Sequence, residues 1–290
     1  APLQRVLGID VDLTEASRLV DGAVSLRPSP TRVEKVLAAL AAAQEAGSLS
    51  RHVAATLAGK LQFMFSSTPG KFGRNIIQPL LDASDARGGT PWSPRLSEMA
   101  SLLAALLAGW LNRPRRLRVT PASRRPALVY SDATGTGHIG IVFVDPDAPP
   151  SARPARYFAS GPCPAWLGRR LRPSANLVNQ YEAFAAVCAV LTFAPLVAGR
   201  QTRLFVDNES AFYSILKGSS RHPEMWSLSR MFHGFASAFG VEVFVECVDS
   251  NDNIADIPSR PDHPDWPALR GMGFQQVLLR FPSEEEWDDA

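Results

Sequence analysis

Four acidic residues sit in local contexts that single them out. Asp132 lies in the apolar run LVYSDAT, Glu182 in NQYEAFAAV, Asp207 at the end of RLFVDN, and Asp256 in NIADIPSR. Carboxylates are hard oxygen ligands, and two magnesium ions held about 4 Å apart need several of them converging on one face. Each acid also has a purely structural reading. Asp207 and Asp256 stand where helix caps belong, Asp132 precedes a glycine-rich turn, and Glu182 suits a solvated helix position. What carries weight is the combination, in order, with each acid in its own setting.

The elements that must gather them follow from periodicity. Leu128–Thr134, His138–Asp145 and Ala155–Ser160 read as three strands, with a turn at Gly135-Thr136-Gly137 between the first two. A long helix is expected over Asn176–Ala194, followed by the strand RLFVDN, the helices ESAFYSILKG and PEMWSLSRMFHGFASAFG, the strand VEVFVECV and a last helix. This order implies an α/β domain: a five-stranded mixed sheet flanked by helices. Asp132 then lies in the first strand, Glu182 on the long helix, Asp207 at the end of the fourth strand and Asp256 at the start of the last helix. A strand end beside a helix start is a usual place for a site in such a sheet.

The first half reads as mainly helical. Thr31-Arg32-Val33-Glu34 has the capping-box form, and Val33, Val36, Leu37 and Leu40 share a face up to the stop at Gly47. A second helix starts at Ser50 and turns Val53, Leu57 and Leu61 inward. A third starts at Ser93-Pro94 and carries Leu96, Met99, Leu103, Leu106 and Trp110.

The chain has 290 residues, 46% of them apolar and 20% charged, as in an ordinary globular protein of two domains or one large one. No signal-peptide pattern is seen at the start, and the longest apolar candidate, Leu102–Leu111, is too short for a membrane span. No membrane partner is expected. Cys163, Cys188 and Cys247 are too widely spaced for a zinc pattern or a disulfide framework, which suits an intracellular setting, cytoplasm or nucleus.

Charge is unevenly spread. Residues 1–126 carry 17 Lys/Arg against 9 Asp/Glu, a balance of +8, and residues 127–290 carry 13 against 19, a balance of −6. A basic half beside an acidic half suits a polyanion gripped by one and acted on by the other; two solvated surfaces would give the same count. Arg113, Arg115, Arg116 and Arg118, extended by Arg124 and Arg125, form a basic stretch over 113–126 that reads either as a solvated linker or as a sequence-independent phosphate contact. Lys60, Lys71 and Arg74 are parallel candidates, as are Arg169, Arg170 and Arg172 before the long helix.

The segments SDATGTG, NQYEAFAAV, LFVDNESA and NIADIPSR resemble, in order, the four acidic motifs of retroelement ribonuclease H domains, of the kind found in long-terminal-repeat and tyrosine-recombinase retrotransposons. The resemblance spans roughly 128–260. It implies a ribonuclease H-like fold and catalytic, metal-holding acids at Asp132, Glu182, Asp207 and Asp256. It further implies two Mg²⁺ ions, with Mn²⁺ able to substitute, and cleavage of the RNA strand of an RNA–DNA hybrid. Asn179 and Gln180 become candidates for reading the 2′-hydroxyl in the minor groove, with an N-terminal helix cap as the other reading, and Asn208 a further contact near the cut.

VLGIDVD resembles the end of a reverse-transcriptase palm, and the stretch from SLRPSPTRVEKVLAAL to TLAGKLQFMFSSTPGKFGRNIIQPLL resembles a thumb, with a connection segment over 94–112. The paired aspartates of a polymerase palm are absent, so polymerisation would belong to palm and fingers elsewhere in the same polyprotein. The expected division is a thumb/connection-like region over 1–112, a basic linker over 113–126, an independently folding ribonuclease H-like domain over 127–265, and a C-terminal tail over 266–290. The loop before Asp256 has no histidine, and His138 and His263 read as ordinary surface or strand residues. Two other readings stay open: a DNA-acting integrase or resolvase of the same fold, and a catalytically inactive, domesticated scaffold that binds nucleic acid.

Overall fold

The computed structural model describes residues 3–16, 22–65, 72–112, 114–118, 124–148, 156–172, 177–220 and 222–288, with the side chains of 72, 112, 118 and 288 left aside. The chain forms two compact units, Ala1–Ser123 and Arg124–Ala290.

In the first unit, β1 (Leu3–Val6), β2 (Ile9–Asp12) and β3 (Ala23–Pro28) precede α1 (Pro30–Glu45), β4 (Ser48–Leu49), α2 (Arg51–Phe65), α3 (Phe72–Ile76), α4 (Gln78–Asp85), β5 (Thr90–Pro91), α5 (Pro94–Asn112) and β6 (Arg115–Arg118). The three expected helices are α1, α2 and α5. Their apolar rows meet in one core: Val33, Val36 and Leu40 from α1, Leu57, Leu61 and Met64 from α2, Leu103 and Leu107 from α5. Phe65 and Trp110 close it edge-to-face, 5.3 Å apart. Val53, Leu37 and Leu106 lie at its margin.

This unit also holds an antiparallel sheet in the order β1-β2-β3-β6, which periodicity did not predict. Its strands are short, and the register pairs Leu117 with Val24 and Arg116 with Ser25. Residues 115–118, expected in a linker, are therefore a sheet edge whose backbone pairing gives the arginines fixed positions.

The second unit runs β7 (Ala127–Ala133), β8 (His138–Val144), β9 (Arg156–Pro162), α6 (Ala165–Arg170), α7 (Val178–Val197), β10 (Gln201–Val206), α8 (Glu209–Lys217), α9 (Pro223–Ala238), β11 (Glu242–Cys247), α10 (Asp256–Ser259), α11 (Trp266–Gly271), β12 (Gln275–Gln276) and α12 (Glu284–Asp288). β7, β8 and β9 form an antiparallel meander; β10 runs parallel to β7 and β11 parallel to β10. The sheet order is β11-β10-β7-β8-β9-β12. This is a mixed sheet flanked by helices.

A sixth strand departs from the expected five. β12 adds to β9 in parallel, and the segment after it returns across the domain: Phe281 stacks on Phe184, and Trp287 packs on Trp166. Residues 266–290 thus supply buried Leu269, Phe274 and Trp287 to the cores of this unit.

Alternation in β7 sends Ala127, Val129 and Ala133 toward α7, and leaves Tyr130 against the smaller core under α10 and α11. Helix α7 is buried on nearly every side from Glu182 to Val197. It is long and apolar enough to cross a membrane by length and composition, which the sequence reading missed, but 72% of that window is buried inside the protein. It is a core helix between the sheet and α9.

Candidate metal centre

Three of the four acids converge. Oxygen atoms of Asp132, Glu182 and Asp207 all lie within 4.8 Å of one another. Asp132 is near the end of β7, paired with Gly140 of β8. Asp207 follows β10, the parallel neighbour of β7. Glu182 lies one turn into α7, where packing of the apolar helix carries it against the sheet.

Burial makes the cluster electrostatically costly. Glu182 is 4% exposed, and its pKa is pushed up to about 10, first by burial and then by the charges of Asp132 and Asp207. Asp132 is 5% exposed and is also raised, by burial above all and then by Asp207 and Asp256, against a hydrogen bond from Ser259. Among the described residues, Glu182 Oε2 and Asp207 Oδ1 are buried with no hydrogen-bond partner. A carboxylate cluster with two such oxygens fits a hard divalent cation, which takes oxygen ligands and offsets the repulsion. Mg²⁺ and Mn²⁺ both suit this donor set.

Asp256 stands beside the group rather than in it. Its carboxylate is held by Arg260 at 2.6 Å and by His263 at 3.2 Å, while its charge still reaches Asp132. The expected convergence of four carboxylates is therefore three plus one. His263, read from sequence as an ordinary surface or strand residue, is a partner of the fourth acid. Nothing local marked it, because six residues and a turn separate the two.

The seat of α10 depends on residues that the sequence reading passed over. Gly140 is buried beneath α10, and a Cβ there would collide with Ser259 N and Ala255 O. Ser160, paired with Gly140 across β8 and β9, donates to Pro258 O at 2.6 Å. Buried Asn253 ties the preceding loop to β7. A small residue in mid-strand opposite Asp132 was the available signal.

The nucleic-acid candidates fare unequally. Asn208 is not a free groove contact: its Oδ1 caps α8 by accepting from Ala211 N at 3.0 Å, and its Nδ2 donates to Asn179 Oδ1 at 2.9 Å. Asn179 is thereby oriented at the start of α7, next to half-buried Gln180, whose Oε1 has no partner among the described residues. Arg169 and Arg170 share Glu284 and Arg172 pairs with Glu224, so two carboxylates within the unit offset part of the charge of these three arginines. Arg124 and Arg125 pair with Asp145 and Asp147. In the first unit Lys60 is exposed on α2, and Arg115 and Arg116 are on β6, with Arg116 bonded to Glu15. Arg118 lies on β6 with its side chain undescribed, and Arg113 and Lys71 lie outside the described residues.

The site is thus a group of three carboxylates, two buried and one half-buried, whose donor set fits a divalent metal. No family model matches the chain, and no curated protein does. Among solved structures it is similar to an RNase H1 from the halophilic archaeon Halobacterium salinarum (15% identity, 45% of this chain and 91% of that one, TM-score 0.33). It is also similar to the N-terminal RNase H domain of a Mycobacterium tuberculosis protein, solved as a fusion with maltose binding protein (15% identity, 51% and 97%, TM-score 0.34). A third is a foamy viral protease-reverse transcriptase in complex with an RNA/DNA hybrid (13% identity, 91% and 32%, TM-score 0.32). This chain spans about a third of that viral enzyme's length.

Proposed function

We propose that the protein is a divalent-metal-dependent nuclease that cleaves the RNA strand of RNA–DNA hybrids, as the ribonuclease H part of a retroelement reverse transcriptase. The observation that carries this reading is the triad Asp132, Glu182 and Asp207, with two buried oxygens that have no partner. The ordered acidic motifs add the substrate class. The retroelement setting, an intracellular location, and a palm and fingers in the same polyprotein belong to the same proposal.

Bound Mg²⁺ would supply a nucleophile at neutral pH and charge neutralisation at the scissile phosphate. The triad would hold it, and Glu182 must release a proton as the site loads. Asn179, oriented by Asn208, and Gln180 would meet the hybrid's minor groove, where the 2′-hydroxyl separates RNA from DNA. Lys60 and the arginines of β6 would add salt-sensitive phosphate contacts.

The test is a gel assay with a labelled RNA–DNA hybrid and a labelled DNA duplex, with and without Mg²⁺. Hybrid cleavage only with metal is expected, and Asp132→Asn should abolish it, since the amide keeps the shape but not the charge. Losing such a transition-state anion costs about 3 kcal/mol or more, over a hundredfold in rate. Near-normal turnover by a folded Asp132→Asn protein refutes the assignment. Cleavage of duplex DNA instead would favour an integrase-like activity.

A further inference from the structure

The triad sits on elements anchored in the main core, whereas Asp256 arrives on a four-residue helix, α10, that follows a loop. Something must fix that loop against β7. Asn253 is 3% exposed and meets both acid-bearing segments. Its Nδ2 donates at 3.1 Å to the carbonyl of Ser131, the residue before Asp132. Its Oδ1 accepts at 3.2 Å from the backbone N–H of Ala255, the residue before Asp256. Its own carbonyl accepts from Asp256 N at 2.9 Å. One buried amide therefore spans the backbone on both sides of the pair, and both of its side-chain polar atoms are used.

We propose that Asn253 is the positioning residue of the fourth acid: it sets Asp256 at its distance from Asp132, and with it the affinity of the site for Mg²⁺. This rests on the metal-dependent reading above. The other contacts of α10 act elsewhere: Gly140 and Ser160 seat its body on β8 and β9, the Ser259 hydroxyl reaches the Asp132 side chain, and Arg260 and His263 grip the Asp256 carboxylate. Asn253 is what bonds the loop ahead of Asp256 to the β7 backbone beside Asp132. A planar amide suits the task because it offers a donor and an acceptor at once on a short, stiff side chain. An aspartate would lose the donor, and a serine could reach only the nearer partner.

The experiment compares wild type, Asn253→Ala and Asn253→Ser with Met231→Ala, a core substitution on α9 that lowers stability away from the site. Mg²⁺ binding is measured by titration calorimetry in the absence of nucleic acid, and hybrid cleavage is followed across Mg²⁺ concentrations. Groups that orient metal ligands from outside typically affect metal affinity tenfold or more. Asn253→Ala should therefore bind Mg²⁺ about tenfold more weakly and need about tenfold more for half-maximal cleavage, with KM for the hybrid unchanged and kcat restored at high Mg²⁺. Asn253→Ser, which can keep the bond to Ala255 N, should fall between it and wild type. Met231→Ala should melt lower with wild-type Mg²⁺ affinity.

Wild-type Mg²⁺ affinity in a folded Asn253→Ala protein overturns the inference, as does an equal loss of affinity in Met231→Ala. Failure of both Asn253 variants to fold would make the residue a folding determinant and overturns it as well. If wild type binds Mg²⁺ but does not cut the hybrid, the proposed function fails, while the calorimetric comparison still decides the role of Asn253.

Discussion

Replacing Glu182 by glutamine should make the metal-free protein more stable, and the gain should grow with pH. Glutamine keeps the volume and can still accept the backbone hydrogen bond from Ala133, but it has no charge to bury. The folded-state pKa of Glu182 is about 10, against an ordinary 4.5. Below pH 4.5 the carboxyl is protonated in both states, and its penalty is absent. As pH rises from there toward 10, the unfolded chain releases the proton while the folded chain retains it. Stability is then lost at about 1.4 kcal/mol per pH unit. At pH 7, roughly 2.5 units above the ordinary value, the loss is about 3 kcal/mol, which Glu182→Gln removes.

For a unit of this size each kcal/mol moves Tm by about 2–4 °C, so the substitution should raise it by roughly 6–12 °C at pH 7. Thermal melting in a chelator from pH 4.5 to pH 8.5 reads this directly. The gap between variant and wild type should be near zero at the acid end and widen steadily. Added Mg²⁺ should narrow it, because ligand binding stabilises the wild type by mass action and the variant far less. A variant that melts at or below wild type at pH 7, or one offset by the same amount at every pH, would show that Glu182 carries no buried-charge penalty.

Gly140→Ala should push α10 off the sheet at a cost of about 1–3 kcal/mol, from overpacking against backbone that cannot turn away, and should weaken Mg²⁺ binding in calorimetry. A chain ending at residue 265 should not fold, contrary to the expectation of an independent domain over 127–265. Losing Leu269, Phe274, Phe281 and Trp287 forfeits about 2 kcal/mol each, comparable to a whole domain's stability; circular dichroism of 124–265 beside 124–290 decides it. Asp145→Asn should destabilise the second unit by about 3 kcal/mol, because it breaks a bidentate pair with nearly buried Arg200 at 2.7 and 2.8 Å. Asp145 is held at about 2, through its hydrogen bonds with Arg200 first, against an ordinary 3.8. Its contribution is therefore present above 3.8 and lost as pH falls through about 2, which acid titration of wild type and variant will show.

The readable parts of this chain were those governed by local pattern. α1, α2 and α5 announce themselves through apolar rows, and β7, β8 and β9 through short apolar and aromatic runs. α7 was legible as a helix but not as the centre of the core, because it is apolar on all sides and has no face to point inward. The sheet of the first unit was missed because a strand such as RRLR has no apolar alternation strong enough to signal it. Its pairing with β3 lies some 90 residues back along the chain. The C-terminal strap was missed for a related reason: β12 has only two residues, and the segment's value lies in where Phe281 and Trp287 land.

The site divides along the same line. Asp132, Glu182 and Asp207 were recoverable because the elements that carry them are set by the main hydrophobic core, so placing the elements places the acids. Asp256 was recoverable as a residue but not as a geometry. Its helix has one turn and little apolar surface, and it is held by a missing Cβ at Gly140, a hydroxyl at Ser160 and an amide at Asn253. Such contacts leave no periodicity in a sequence, since each is a single small or polar residue far along the chain from the group it holds. The same division orders their sensitivity to change. The triad should tolerate volume-conserving substitutions in the surrounding core, because many contacts share the work of placing it. The fourth acid hangs on a few specific bonds and one close approach. Substitutions at Gly140, Ser160 and Asn253 should therefore disturb the position of Asp256 well before they disturb the sheet.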